Sequence, residues 1–197
     1  VETNLIEGAL IVLFVLVLFL GNLRAGLIVA SSIPLSMLFA LGMMQLFGVS
    51  ANLMSLGAID FGLIVDGAVI IVEATMHHLG LRKAVGRLTQ TEMDHEVFLS
   101  ASNIRNSAAF GEVIILIVYI PILTLIGIEG KMFRPMAQTV SFAILGALVL
   151  SLTFIPMMCA LFLPKEKPEK RGISERLMDF FQRTYAPVIQ WAIRFKY

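Results

Sequence analysis

The sequence predicts an all-α fold, that of a polytopic helical membrane protein, and two features of its composition support this class. Hydrophobic residues make up 58% of the 197 residues and charged residues only 15%, against about 25% charged in soluble domains. The net charge of +1 argues against a nucleic-acid-binding protein, which would carry a clustered positive excess. The single cysteine, Cys159, excludes a disulfide framework and a cysteine-based zinc site.

Five apolar runs are predicted to be membrane helices, because crossing the hydrocarbon core takes about 20 helical residues. These runs are Asn4 to Leu20, Ala25 to Phe47, Leu53 to Met76, Ala108 to Ile126 and Met136 to Leu163, within a transmembrane unit of residues 1–163. The first run is slightly short. Pro34, Pro121 and Pro156 lie inside runs, which membrane helices tolerate when neighbouring groups satisfy the freed carbonyls.

The basic residues between the runs predict how the chain crosses the membrane. Loops on one side hold 13 lysines and arginines, and loops on the other side hold 2. The positive-inside rule places the richer side, including the loop over residues 77–107, in the cytoplasm. With five spans, the N-terminus is then periplasmic and the C-terminus cytoplasmic.

The residues after the fifth run predict a charged linker at 164–173 and a surface helix at 174–197. Arg183 and Arg194 interrupt the second segment, so it is not a sixth span. Its larger apolar side chains recur every three or four residues, which is typical of an amphipathic helix. We expect this helix to lie on the cytoplasmic surface of the membrane.

The third run is unusual because it contains three acidic residues, Asp60, Asp66 and Glu73. A charge near the middle of a membrane helix costs about 2.5 to 3.5 kcal/mol even on a lenient insertion scale. Asp66 and Glu73 are seven residues apart, so they share a helix face and lie about 10 Å apart along the axis. Asp60 lies roughly 120° around the helix from Asp66. Such costly groups are expected to face the protein interior and to have a function.

We interpret the three carboxyl groups as a proton relay that couples proton flow to cation transport. Burial and nearby charges both change how tightly a carboxyl group holds its proton. Such a group can therefore bind a proton from one side of the membrane and release it to the other. Gly57, Gly62 and Gly67 provide room for close helix packing beside the relay. Two alternatives stay open: a buried Asp pair with a structural role, and direct binding of a metal cation. Since no predicted span contains Lys or Arg, a counter-charge must come from a helix outside this sequence.

Three further features receive simpler interpretations. His77 and His78 are expected to cap the cytoplasmic end of the third run rather than bind a metal, because adjacent helical residues point about 100° apart. Glu112 is expected at headgroup depth near the start of the fourth run, as a minor candidate for a proton exit. The 11 methionines are interpreted as apolar filler rather than as ligands of soft metal ions.

Four sequence motifs carry a resemblance to a known family. The segment 60–73, DFGLIVDGAVIIVE, resembles the fourth transmembrane helix of heavy-metal exporters of the resistance–nodulation–division (RND) superfamily. It is most similar to the divalent-cation branch of cobalt–zinc–cadmium and nickel–cobalt pumps. FLGNLRA at 19–25, GIEGKMFRPMA at 127–137 and SLTFIP at 151–156 resemble the same proteins in the same order, so the resemblance covers nearly the whole chain. Ala74 departs from the family, which usually has Asn there.

The resemblance implies that this sequence holds helices two to six of a twelve-helix protomer and the surface helix that follows. In the family, carboxylates matching Asp60, Asp66 and Glu73 serve proton-coupled cation export. The branch that exports Cu(I) and Ag(I) lacks the acid at the position of Asp60, so this residue favours divalent ions such as Zn, Co, Cd or Ni. The expected activity is antiport driven by the proton-motive force. We expect no enzyme activity and no resident cofactor, since the metal ion is the substrate.

The resemblance also implies a location and partners. The location is the bacterial inner membrane, where the lipid bilayer surrounds a multi-pass chain. The remaining half of the same pump would supply the missing helices, and the full protein would be a homotrimer. It would work with a periplasmic adaptor (membrane fusion) protein and an outer-membrane channel, and nucleic acid is not an expected partner.

Three rival functions make different predictions. An RND exporter of drugs or other organic molecules would more typically carry adjacent aspartates in its central helix. An intramembrane aspartyl protease would use Asp60 and Asp66 as its catalytic pair, but such proteases place their aspartates on two helices and use a Gly-x-Gly-Asp motif. A non-transporting membrane scaffold predicts that Asp66→Asn changes nothing except stability.

Overall fold

A computed structural model of the chain describes residues 2–50, 61–81 and 88–164, together with residues 185 and 187. All regular structure in these residues is helical, which confirms the predicted all-α class. The helices are α1 (Glu2–Leu20), α2 (Leu23–Phe47), α3 (Phe61–Leu81), α4 (Gln90–Leu123), α5 (Gly127–Leu152) and α6 (Phe154–Phe162). Asp60, Gly57, the surface helix predicted at 174–197 (apart from residues 185 and 187) and all of the linker except Pro164 lie outside the described residues.

Four of the described helices are long and apolar enough to cross a membrane: Leu23–Phe47, Phe61–Gly80, Gln90–Leu123 and Gly127–Leu152. α1 contributes a shorter apolar stretch, Glu7–Leu20. The described parts of the first three predicted runs are helical throughout, whereas the fourth run, predicted to end at Ile126, is helical only to Leu123. The last run differs in detail, because its helix begins at Gly127 and is interrupted at Thr153, where α5 ends and α6 follows.

The link between α1 and α2 shows how the FLGNLRA motif makes a tight turn. Gly21 adopts a φ of 63°, a left-handed conformation that glycine accepts without a steric penalty. Asn22 then caps α2, because its side-chain oxygen accepts a hydrogen bond from the Arg24 amide at 2.9 Å. Two residues therefore reverse the chain, and the two helices pack side by side.

The segment 77–107, expected to be a loop, is mostly helical. α3 continues through both histidines to Leu81, and α4 begins at Gln90. A capping box explains this start: the Glu92 amide donates to Thr89 Oγ1 at 3.4 Å, and the Thr89 amide donates to Glu92 Oε2 at 2.9 Å. Because residues 90–107 are largely polar, a search for apolar runs does not detect this helix.

Removing this cap is expected to loosen the start of α4. Thr89→Ala deletes the hydroxyl that satisfies the Glu92 amide, and such changes cost about 1 kcal/mol of stability. Hydrogen exchange at Gln90 to Met93 should become faster in this variant. The substitution Asn103→Ala, at an exposed position of the same helix, should leave that exchange unchanged, and equal exchange in both variants would contradict the proposed cap.

α3 is the central helix of the described bundle, since it packs against each of the other five. Its apolar face contributes Val65, Ala68, Ile71 and Val72 to the main core, together with buried side chains of α1, α2, α4 and α6. Ile64 joins a smaller cluster with residues of α2 and α5. The helix that carries the unusual carboxyl groups is therefore the helix that organises the bundle.

Candidate functional site

The exposed positions of α3 form one continuous stripe along the helix. They are Gly62, Asp66, Ile70, Glu73, His77 and Gly80. Their spacings of three and four residues keep them on a single face. The other described helices therefore leave uncovered the one face of α3 that carries two carboxyl groups and an imidazole.

The predicted relay residues divide between this stripe and the undescribed part of the chain. Asp66 and Glu73 share a face, in the arrangement that their spacing predicts. The expectation that they face the interior does not hold within this chain, where both are exposed. Of the glycines expected beside the relay, Gly62 is exposed on the stripe, whereas Gly67 is buried against neighbouring helices.

Glu112 lies in a place that the sequence interpretation did not anticipate. Its side chain is only 2% exposed. The carboxyl group lies against Gly67 of α3, so closely that a Cβ atom at Gly67 would overlap it. The same Cβ position would be 3.2 Å from Ser151 Oγ of α5. Glu112 therefore occupies the junction of α3, α4 and α5, an interhelical position that the expectation of headgroup depth did not include.

The polar neighbours of Glu112 are already engaged in hydrogen bonds within their own helices. Ser151 Oγ donates to the Leu148 carbonyl at 2.9 Å, and the Gly67 amide belongs to the regular helix ladder. Neither carboxyl oxygen of Glu112 has a hydrogen-bond partner of acceptable geometry. Asp66 directly precedes Gly67, so a negative charge on Asp66 opposes a negative charge on Glu112.

The two adjacent histidines point in different directions. His77 lies on the exposed stripe of α3, whereas His78 Nε2 is 2.7 Å from Glu96 Oε2 of α4. His78 thus joins the end of α3 to the beginning of α4, beyond its expected role as an interfacial cap. Within the described ranges, no group of three or more His, Cys, Asp or Glu residues is arranged to hold a metal ion.

Comparisons with known proteins identify the family of the chain. The AcrB/AcrD/AcrF family profile matches residues 1–197. The cobalt-zinc-cadmium resistance protein CzcA of Cupriavidus metallidurans is 51% identical over 192 residues, which are 96% of this chain and 18% of that protein. The nickel and cobalt resistance protein CnrA of the same organism is 46% identical over 98% of this chain and 18% of its own length. The chain therefore spans about one fifth of the relatives that it matches.

A solved structure supports the same assignment. The crystal structure of a heavy metal efflux pump superposes with a TM-score of 0.67 at 41% sequence identity. The match covers 79% of this chain and 14% of that one. The chain therefore belongs to the AcrB/AcrD/AcrF family, and the resemblance of its motifs to heavy-metal exporters of the RND superfamily is confirmed.

Proposed function

We propose that this chain is the relay-bearing segment of a proton-driven exporter of divalent heavy-metal cations such as Zn, Co, Cd or Ni. The observation that carries the proposal is the stripe of α3, where Asp66 and Glu73 occupy the uncovered face of the central helix. The relatives named for resistance to cobalt, zinc, cadmium and nickel support metal ions as the substrate class.

The cost of an intramembrane carboxylate supports a protein partner for this stripe. An acidic side chain facing lipid costs several kcal/mol, so such groups almost always face a bundle interior or a water-filled cavity. The chain spans only 18% of its relatives, and the remaining part of such a pump would supply a covering helix. A Lys or Arg on that helix would provide the counter-charge that α3 lacks.

The relay is proposed to work by changing charge during the transport cycle. A proton that binds Asp66 removes its negative charge and weakens its attraction to a cation on the covering helix. Moving one charge through 100 mV is worth about 2.3 kcal/mol, which is enough to bias two conformations of a pump. Glu73 extends the same face about 10 Å along the helix, and Asp60 is proposed as the mid-membrane partner of Asp66. This mechanism uses no catalytic step and no resident cofactor.

The rival functions fit these observations less well. The named metal-resistance relatives favour a metal substrate over drugs or other organic molecules. Membership of the AcrB/AcrD/AcrF family argues against an intramembrane aspartyl protease. A scaffold function without transport does not explain why carboxyl groups lie on the exposed face of the central helix.

The full protein is proposed to work in the bacterial inner membrane as a homotrimer. Its partners would be the remaining half of the same pump, a periplasmic adaptor protein, an outer-membrane channel and the surrounding lipid. The N-terminus of this segment is proposed to be periplasmic and its C-terminus cytoplasmic, following the distribution of basic residues.

Transport by the purified full-length pump in liposomes tests this proposal. An imposed proton gradient should drive zinc, cobalt, nickel or cadmium across the membrane, and a protonophore that collapses the gradient should stop it. Metal transport at the same rate with and without the proton gradient would contradict proton coupling. Gradient-driven movement of organic dyes, without movement of any of the four metals, would instead favour the drug-exporter alternative.

A further inference from the structure

Glu112 is the one acidic residue with a buried side chain among the described residues for which burial is known. Both of its carboxyl oxygens lack a hydrogen-bond partner. An ionised carboxylate enclosed without a donor or a cation is strongly disfavoured. A protonated carboxyl group avoids this cost, because its O–H can donate to the oxygen of Ser151, whose own proton is donated to the Leu148 carbonyl. The site is thus built to accept a carboxyl group that carries a proton.

Gly67 brings this buried carboxyl group next to the proposed relay. Gly67 directly follows Asp66, and its missing side chain leaves the space that the Glu112 carboxyl group fills. Asp66 acts electrostatically on Glu112 across this contact. The two carboxyl groups thus come from two helices at the same level of the bundle, with Asp66 exposed on the stripe and Glu112 buried between helices.

The helices packed against α4 bring no charge closer to Glu112 than Asp66 within the described residues. α5 carries Glu129, Lys131 and Arg134, but the last of these precedes Ser151 by 17 residues, about 25 Å along the helix. α6 has no charged residue, and its Cys159 packs in the apolar core.

On α4 itself the nearest titratable groups are distant from Glu112. Arg105 and Tyr119 each lie seven residues away, about 10 Å along the axis. On α3, Glu73 and His77 follow Asp66 on the exposed stripe, and His78 pairs with Glu96. Among the described residues, Asp66 is therefore the charged group that acts most directly on Glu112.

A cavity follows this site by about one to two helical turns, toward the beginning of α4. Its volume is about 130 Å³, and its lining includes Ile71, Ser102, Arg105 and Leu152. Ile71 is one turn after Gly67, and Leu152 directly follows Ser151. A space of this size accommodates a few water molecules, and Ser102 and Arg105 offer them hydrogen-bonding groups. The cavity is therefore a place near the site that can hold water.

We propose that Glu112 and Asp66 form a coupled pair of carboxyl groups that holds one proton, and that water in the cavity about one to two helical turns away carries this proton to and from Glu112. This inference rests on the proposed proton-driven transport and adds a second proton-binding residue to it. Transfer moves one proton from one carboxyl group to the other, so the pair keeps a single negative charge. Release from Glu112 to water then leaves both groups ionised until the next proton binds.

The pH dependence of transport by the full-length pump in liposomes tests this pair. Without the Glu112 charge, less repulsion opposes the ionised form of Asp66, so Asp66 binds a proton only at a higher proton concentration. In Glu112→Gln the pH of half-maximal zinc transport should therefore move down by about one unit, the scale of interaction that defines a coupled pair. Glu129→Gln, the same change at an exposed position outside the site, should keep the wild-type profile.

A second variant keeps the test decisive when Glu112→Gln does not assemble. Glu112→Asp keeps a carboxyl group but moves it away from Gly67 by the length of one methylene group. The pH of half-maximal zinc transport in this variant should therefore lie between the values for the wild type and for Glu112→Gln. A wild-type profile in either assembled Glu112 variant would overturn the pair. Loss of gradient-driven zinc transport by the wild type would instead overturn the proposed function, so the two failures are distinguishable.

Discussion

Replacing Asp66 by asparagine is expected to reduce proton-driven zinc transport by the full-length pump to the level of liposomes without protein. Asparagine keeps the size of the side chain and much of its hydrogen bonding, but it does not bind and release a proton. The transport cycle would then lack the charge change that links proton flow to conformation. Zinc flux under an imposed pH gradient, at matched amounts of assembled protein, is the measurement that checks this expectation.

Asp94→Asn provides a matched control for the same chemical change. Asp94 is exposed near the beginning of α4, where its Oδ1 accepts a hydrogen bond from Gln90 Nε2 at 2.7 Å. It lies outside the α3 stripe, so we expect wild-type flux from this variant. Equal flux from the Asp66 and Asp94 variants would remove Asp66 from the relay and favour the scaffold alternative.

Adding a single methyl group at Gly67 is expected to destabilise the pump more than the same change at a glycine whose Cβ position is open. The new Cβ atom would occupy the space of the Glu112 carboxyl group and press against Ser151. Overpacking of this kind typically costs about 1 to 3 kcal/mol. The thermal unfolding temperature of the detergent-solubilised full-length pump should therefore fall in Gly67→Ala.

Two comparisons show whether the contact with Glu112 causes the loss of stability in Gly67→Ala. Gly42→Ala serves as the control, because no atom of the described chain lies within 4 Å of its Cβ position. Shortening the opposing side chain in Gly67→Ala with Glu112→Ala should recover much of the lost stability, since two residues in contact couple in a double-mutant cycle. Strictly additive losses would argue against a contact between these two residues.

The sequence predicted the parts of the fold that depend on long apolar runs. Nearly all described residues of the predicted runs are helical, because about 20 apolar residues in a membrane satisfy their backbone only as helix. The beginning of α4 escaped this argument because its first residues, from Gln90 onward, are polar. The Thr89 and Glu92 pair was the available signal, since Ser or Thr followed three residues later by Glu marks a capping box.

The position of Glu112 required the structure. Helical spacing relates residues of one helix, so it correctly placed Asp66 and Glu73 on a single face. It contains no information about which residue of another helix lies opposite. Gly67 was predicted to admit a neighbouring backbone, whereas the carboxyl group of Glu112 occupies that space. Contacts between helices depend on their crossing geometry, which the apolar pattern of each helix does not define.

The central claim is that carboxyl groups of α3 change protonation while the pump works, and infrared difference spectroscopy measures this directly. Spectra of the full-length pump, recorded before and after zinc addition at a fixed pH, should contain the carbonyl band of a protonated carboxyl group that gains or loses intensity. That band should be absent from the difference spectrum of Asp66→Asn and present in that of Asp94→Asn. An identical carboxyl signal in the wild type and Asp66→Asn, or none in either, would contradict the claim.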